Sequence, residues 1–137
     1  MSKPVKYALD TNILILLLRQ APNVCQKFNE AVDQGDELVI PALAHYEIKR
    51  GFRYKAAPAK ESMYDMLTEQ YPVGEIDTET LELAADIYAS LLHAGRPGED
   101  DDILIASFCI VYGYTLVTHN IRHFEGIERL EIEDWVE

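Results

Sequence analysis

The sequence predicts an α/β protein, a three-layer α/β/α sandwich built on a central parallel sheet, and three observations carry that expectation. Apolar runs of strand length alternate with helical stretches of ten or more residues, an order that implies parallel pairing because each strand must return to the sheet through a crossover. The stretch ILIASFCIVYG (103–113) is apolar nearly all round, as a helix packed against a sheet would be. The 137 residues, 48% hydrophobic and 26% charged, suffice for one core and show no repeat or low-complexity tract, so residues 1–137 are expected to form a single domain.

Each element follows from local signals. VKYAL (5–9) reads as a short buried strand and NILILLLRQ (12–20) as a helix that begins at once, which leaves Asp10 at the strand's carboxyl end. In PNVCQKFNEAVDQG (22–35), Asn23 is the expected N-cap, Val24, Phe28, Ala31 and Val32 share one face, and Gly35 is the stop. ELVIP (37–41) is a second strand, PALAHYEIKRGFR (41–53) a helix, and a further helix is expected from Ala59 to about Gln70 after the AAP break. VGEID (73–77) is a third strand whose Asp77 caps a helix over 78–94 ending at Gly95. RPGEDDD (96–102) reads as a loop before the apolar helix, YTLVT (114–118) as the fourth strand and RLEIED (129–134) as the fifth. Sites in such folds form outside the carboxyl ends of the strands, where Asp10 and Thr118 both stand.

Charge and composition narrow the function. The net charge of −12 argues against gripping nucleic acid by general electrostatic attraction, so such a substrate needs a local basic feature or bound cations. The basic island KRGFRYKAAPAK (49–60) is the local feature in view, offering Arg50 and Arg53 as substrate contacts; a solvated helix end explains it equally well. Cys25 and Cys109 lie far apart among apolar neighbours and read as reduced, packed thiols. The longest apolar run, ILILLL (13–18), is too short to cross a bilayer and the N-terminus lacks a signal-peptide pattern, so a cytoplasmic location is expected.

Acids recur where the fold would bring strand ends together. Glu47 lies in an otherwise apolar half-helix, a costly place unless it looks into a cleft, although an exposed Glu pairing with Arg50 or Lys49 is the commoner situation. Glu99, Asp100, Asp101 and Asp102 crowd the start of the apolar helix, more acids than capping one helix requires. Gathering Asp10, Glu47 and Asp102 at one sheet edge costs roughly 4 kcal/mol per close pair at an intermediate dielectric, and no Lys or Arg adjoins Asp10 or Asp102 in sequence. The natural counter-charge is Mg²⁺ or Mn²⁺, hard ions that take carboxylate oxygens and serve phosphodiester hydrolysis.

These segments resemble the PIN-domain ribonucleases and, among them, the VapC-like toxins of bacterial toxin–antitoxin modules. YALDTNIL resembles the family's opening strand and first acid, HYEIKRG the segment with its second, GRPGEDDDILIAS the run into its third, and LVTHNIRHFEGIERLEIEDW its closing segment. The resemblance implies a metal-dependent endoribonuclease that often cuts structured RNA such as tRNA and is held in check by a VapB-like antitoxin. It further implies that Asp10 and Asp102 are direct metal ligands, that Glu47 is a third acid holding metal or water, and that Thr118 hydrogen-bonds a water of the ion or the scissile phosphate. Thr11 and Asn12 would shape the first turn, and Asn120 would steady the site or reach the substrate. Many relatives carry a fourth acid at the position of Asn120 or His123; here neither is acidic, and Asp100 is the neighbouring acid that could substitute. A homodimer is also implied.

Other readings compete. His119 and His123 could bind zinc as an i, i+4 pair or act as general acid and base in a metal-free ribonuclease, which would leave cyclic phosphate ends. A receiver-like signalling domain also clusters acids around Mg²⁺, but it wants paired acids at the first strand and a late Lys, whereas the last Lys here is Lys60. A PIN-like protein that binds RNA or a partner without cutting is the third. An acid-lined pocket suits a basic antitoxin tail, and ILILLL has apolar surface to spare for a groove or dimer seam.

Overall fold

The strands β1 (Lys6–Leu9), β2 (Glu37–Pro41), β3 (Val73–Gly74), β4 (Thr115–Val117) and β5 (Ile132–Glu133) form one sheet in the order β3-β2-β1-β4-β5. This is a computed structural model, and it describes residues 3–137. Every pairing is parallel, with Tyr7 opposite both Leu38 and Thr115. The connections carry helices α1 (Thr11–Leu18), α2 (Pro22–Asp33), α3 (Ala42–Tyr54), α4 (Pro58–Gln70), α5 (Thr78–His93) and α6 (Asp100–Tyr112), the last two packing chiefly on each other. The expected parallel α/β sandwich is therefore what forms. None of these helices is long and apolar enough to cross a membrane.

The order of strands places the site. β1 is central: the chain leaves it towards β2 and β3, then crosses back to add β4 on its other side, so the direction of winding reverses between β1 and β4. Such a reversal leaves a crevice at the carboxyl ends of the two strands. The sheet is tied across that point by the Asp10 amide, which donates to the Val117 carbonyl at 3.0 Å. Ala8, Leu9, Ile40, Leu116 and Val117 are buried in the sheet, Ile13, Leu14, Ile105, Ala106 and Cys109 on the helices that cover it. Trp135 closes the β5 end, fully buried, edge-on to Tyr7 with ring centres 5.2 Å apart. Cys25 and Cys109 are both free thiols.

Several boundaries differ from the sequence reading. α2 is started by Pro22 in its first turn with Ala21 as N-cap, because a proline needs no amide partner there; Asn23 instead donates to the Val136 carbonyl at 3.0 Å. Val32, expected on the buried face, is exposed. β3 stops at Gly74, against which the Phe108 ring packs, and the chain then turns so that the Asp77 carboxylate can accept from the Thr80 amide at 2.9 Å. β5 shrinks to two residues. α6 starts at Asp100 rather than after the acids, since three carboxylates in a first turn complement the helix dipole.

Candidate active site

Asp10 is both the end of β1 and the N-cap of α1, and the fold spends its local hydrogen bonds on it. Its Oδ1 accepts from the Thr11 amide at 2.8 Å, and its Oδ2 accepts from the Thr118 hydroxyl at 2.9 Å and from Asn12 Nδ2 at 3.2 Å. Thr118, wholly buried at the end of β4, accepts in turn from Asn12 Nδ2 and from the Asn120 amide. Asn12 then takes the His119 amide on its Oδ1 at 2.9 Å, so one side chain of α1 bridges both strand ends. Burial still pushes the Asp10 carboxyl above the ordinary carboxylate range, outweighing those donors, with the charge of Asp101 adding to the rise.

The other acids arrive from two helices. Glu47, on the second turn of α3, accepts from the Thr11 hydroxyl at 3.2 Å. Its pKa is pushed up to about 7, first by burial, then by a hydrogen bond and repulsion from Asp101 and the charge of Asp10. Asp102, in the first turn of α6, rises to about 6 through burial and the charges of Asp101, Asp10 and Glu99, partly offset by His123. Asp10, Glu47 and Asp102 thus share one electrostatic neighbourhood. Asp101, which sequence reasoning did not single out, is the acid in contact with Glu47, whereas Asp100 is exposed on the rim of the adjoining cavity. Helical phase held the signal: an acid one residue before Asp102 turns towards α3 only if the helix already includes both.

These carboxylates fit a divalent cation by what they lack. The nearest basic side chains are Arg50, whose Nη2 is 3.7 Å from Glu47, and His123, whose Nδ1 is 3.4 Å from Asp102. No three of Asp10, Glu47, Asp101 and Asp102 bring ligand atoms within 4.8 Å of one another, wider than three direct ligands at about 2.1 Å from one ion allow, so an ion here would be held by at most two of them directly and by the others through its waters. Among the described residues the one group that meets that spacing is His119, Asp134 and Glu137, and there the His119 ring is already hydrogen-bonded to Asp134 at 3.0 Å. The two histidines therefore diverge, one to Asp134 and one to Asp102, and do not form an i, i+4 zinc pair.

The expected basic island is largely spoken for. Lys49 lies 2.7 Å from both Glu61 and Asp65, and Arg53 3.1 Å from Glu61, contacts that fasten α4 to α3. Arg50 remains beside the acids, stacked over the Tyr46 ring at 5.1 Å, in a cavity of about 500 Å³ that Tyr46, Tyr88, Glu47 and Asp101 also line. The Asn120 side chain is exposed. Ile13 and Leu14 of α1 are buried, while Ile15 and Leu18 line an apolar groove of about 410 Å³ with Phe52 and Met63, rimmed by Arg19, Lys55 and Lys60.

Comparison with known proteins follows the same lines. The family model described as the PIN domain matches residues 7–130. The chain is similar to ribonuclease VapC1 of Haemophilus influenzae, 29% identical over 131 residues that cover 94% of this chain and 97% of the relative. It is equally similar to the tRNA(fMet)-specific endonuclease VapC of Shigella flexneri, 29% identical over 133 residues covering 96% and 98%. Among solved structures, VapBC-1 from nontypeable Haemophilus influenzae superposes with a TM-score of 0.83 at 27% identity, over 97% of this chain and 100% of the other.

Proposed function

This chain belongs to the PIN-domain family, and on that footing we propose that it is a divalent-metal-dependent endoribonuclease, the toxin of a type II toxin–antitoxin pair, cutting structured RNA such as tRNA. The observation that carries the reading is the convergence of Asp10, Glu47 and Asp102, from the end of β1 and from α3 and α6, with their carboxyls raised by burial and then by neighbouring acids. When bound, Mg²⁺ or Mn²⁺ supplies activation of water and a clamp on the scissile phosphodiester. Asp10, Glu47 and Asp102 would hold it, with Asp101, and with Asp100 from the rim. Thr118 and Asn12 keep Asp10 in one rotamer, and Thr11 does the same for Glu47, so the acids meet the substrate already oriented. Asn120 and Arg50 would contact RNA from the rim, whereas Arg53, held by Glu61, is not free for it.

The names of the relatives support the substrate and the partner: a tRNA endonuclease is among them, and the solved neighbour is a VapBC complex. A VapB-like antitoxin would place basic side chains among the acids and an apolar anchor in the groove of Ile15, Leu18 and Phe52. A homodimer working in the cytoplasm completes the proposal.

A second reading, RNA or partner binding without cleavage, is favoured by one observation: His123 stands against Asp102 where no fourth acid is present. One experiment separates the two. Total cellular RNA is incubated with the protein in Mn²⁺ or Mg²⁺, beside Asp10→Asn, Asp102→Asn and EDTA, and 5′ ends are sequenced. New 5′-phosphate ends, lost in both variants and in EDTA, are expected; cutting that persists in either variant rejects metal-dependent catalysis by these acids.

A further inference from the structure

Beside Asp102 lies a second cavity, of about 610 Å³, whose lining sets two arginines among three acids. Arg96, from the loop after α5, and Arg122, from the 3-10 turn Ile121–Phe124, both line it, together with His123 and Asp102. Its volume falls within the range of about 300–1,000 Å³ usual for ligand sites. Among the described residues neither arginine has a carboxylate within 4.0 Å, although Glu99 and Glu125 share the cavity. Lys49 and Arg53, the cations the sequence put forward, are by contrast held in ion pairs. Arg96 also has a made place: Gly126, at φ +84, leaves the space in which a Cβ would sit 3.4 Å from both Cδ and Nη1 of the guanidinium arm.

We infer that Arg96 and Arg122 seat an RNA backbone phosphate beside Asp102, fixing on which side of the acids the strand continues. A chain of net charge −12 needs local cations to hold a polyanion, and these two stand beside Asp102 with no carboxylate of the described residues within 4.0 Å of either. Arginine suits the task because its planar fork matches phosphate oxygens in pairs. His123, 3.4 Å from Asp102, joins this wall to the acid cluster. The inference rests on the ribonuclease reading for the identity of the polyanion, and its test does not require cutting.

The test is fluorescence anisotropy of a short labelled single-stranded RNA in CaCl₂, titrated at several salt concentrations, with cleavage in Mn²⁺ followed in parallel. Arg96→Ala/Arg122→Ala is expected to weaken binding about tenfold and to flatten the salt dependence by about 0.7, the value for one phosphate contact on a single strand. The Arg96→Lys/Arg122→Lys protein retains the charge and is expected to recover most of the salt slope, which loss of packing over Gly126 would not allow. Lys27→Ala, on the exposed side of α2, is expected to keep the wild-type slope. A double alanine variant with normal melting and an unchanged slope overturns the inference. Equal loss in Lys27→Ala, or no RNA binding by the wild type, overturns it as well. RNA that binds through these arginines yet is never cut supports the seat and removes the nuclease reading alone.

Discussion

Glu47→Gln is expected to stabilise the metal-free protein while abolishing its activity. With its carboxyl raised from 4.5 to about 7, Glu47 holds a proton in the native state that it has already lost in the unfolded one across that window. The native state therefore binds more protons, and stability falls as pH rises from about 4.5 to about 7, remaining low above it. The ceiling on that loss is about 3 kcal/mol at 1.36 kcal/mol per tenfold; partial solvent screening at the cleft mouth reduces it to about 1 kcal/mol. Gln keeps the acceptor for Thr11 and gives Asp101 a donor, so the penalty disappears while the contacts remain. The loose Arg50 pair at 3.7 Å, with Arg50 57% exposed, contributes little to lose. In EDTA at pH 8 the variant should melt about 3–4 °C above the wild type. At pH 4 the two should coincide. Adding Mn²⁺ should reverse the order, since an ion at 100 times its Kd stabilises the wild type by about 2.7 kcal/mol. A variant that melts at or below the wild type in EDTA at pH 8, or a gap unchanged at pH 4, refutes the claim that Glu47 is an uncompensated charge.

Two further substitutions probe the frame around the acids. Thr118→Val keeps the shape but leaves Asp10, Asn12 and the Asn120 amide each short of a partner in a buried place, and should lower stability by about 1–3 kcal/mol in urea titrations. Gly74→Ala would put a Cβ 2.3 Å from the Phe108 ring; a loss of about 1–3 kcal/mol by thermal melting is expected.

How much of this was legible in the sequence depended on whether the signal was local. Strand and helix order was, because periodicity and breakers are local, and so was the position of Asp10 at a strand end. The start of α6 is not legible, because a run of acids resembles a loop in composition although three carboxylates are favourable in a first turn, and with it the facing of Asp101 towards Glu47 stays hidden. Asn23 looked like a cap until Pro22 preset the helix one residue earlier. The basic island was visible as composition, but its partners Glu61 and Asp65 sit on the next helix, and only packing shows that Lys49 and Arg53 face them. Arg96 and Arg122, which are 26 residues apart in sequence, meet only because α6 and β4 return the chain to the same edge.

The hydrogen-bond distribution explains why the acids differ in kind. Asp10 receives three donors because the reversal of winding brings the ends of β1 and β4 together, so that Thr118 and Asn12 reach it as well as each other. Glu47 receives one donor, from Thr11, and Asp102 accepts none from a described side chain within normal range other than His123 at 3.4 Å. The centre is thus a fixed carboxylate flanked by two whose charge the protein leaves uncompensated. An apolar or fully bonded pocket would be more stable, and a positive partner is what would offset that imbalance: the divalent ion of the proposed nuclease, or the basic side chain of the proposed antitoxin in its place.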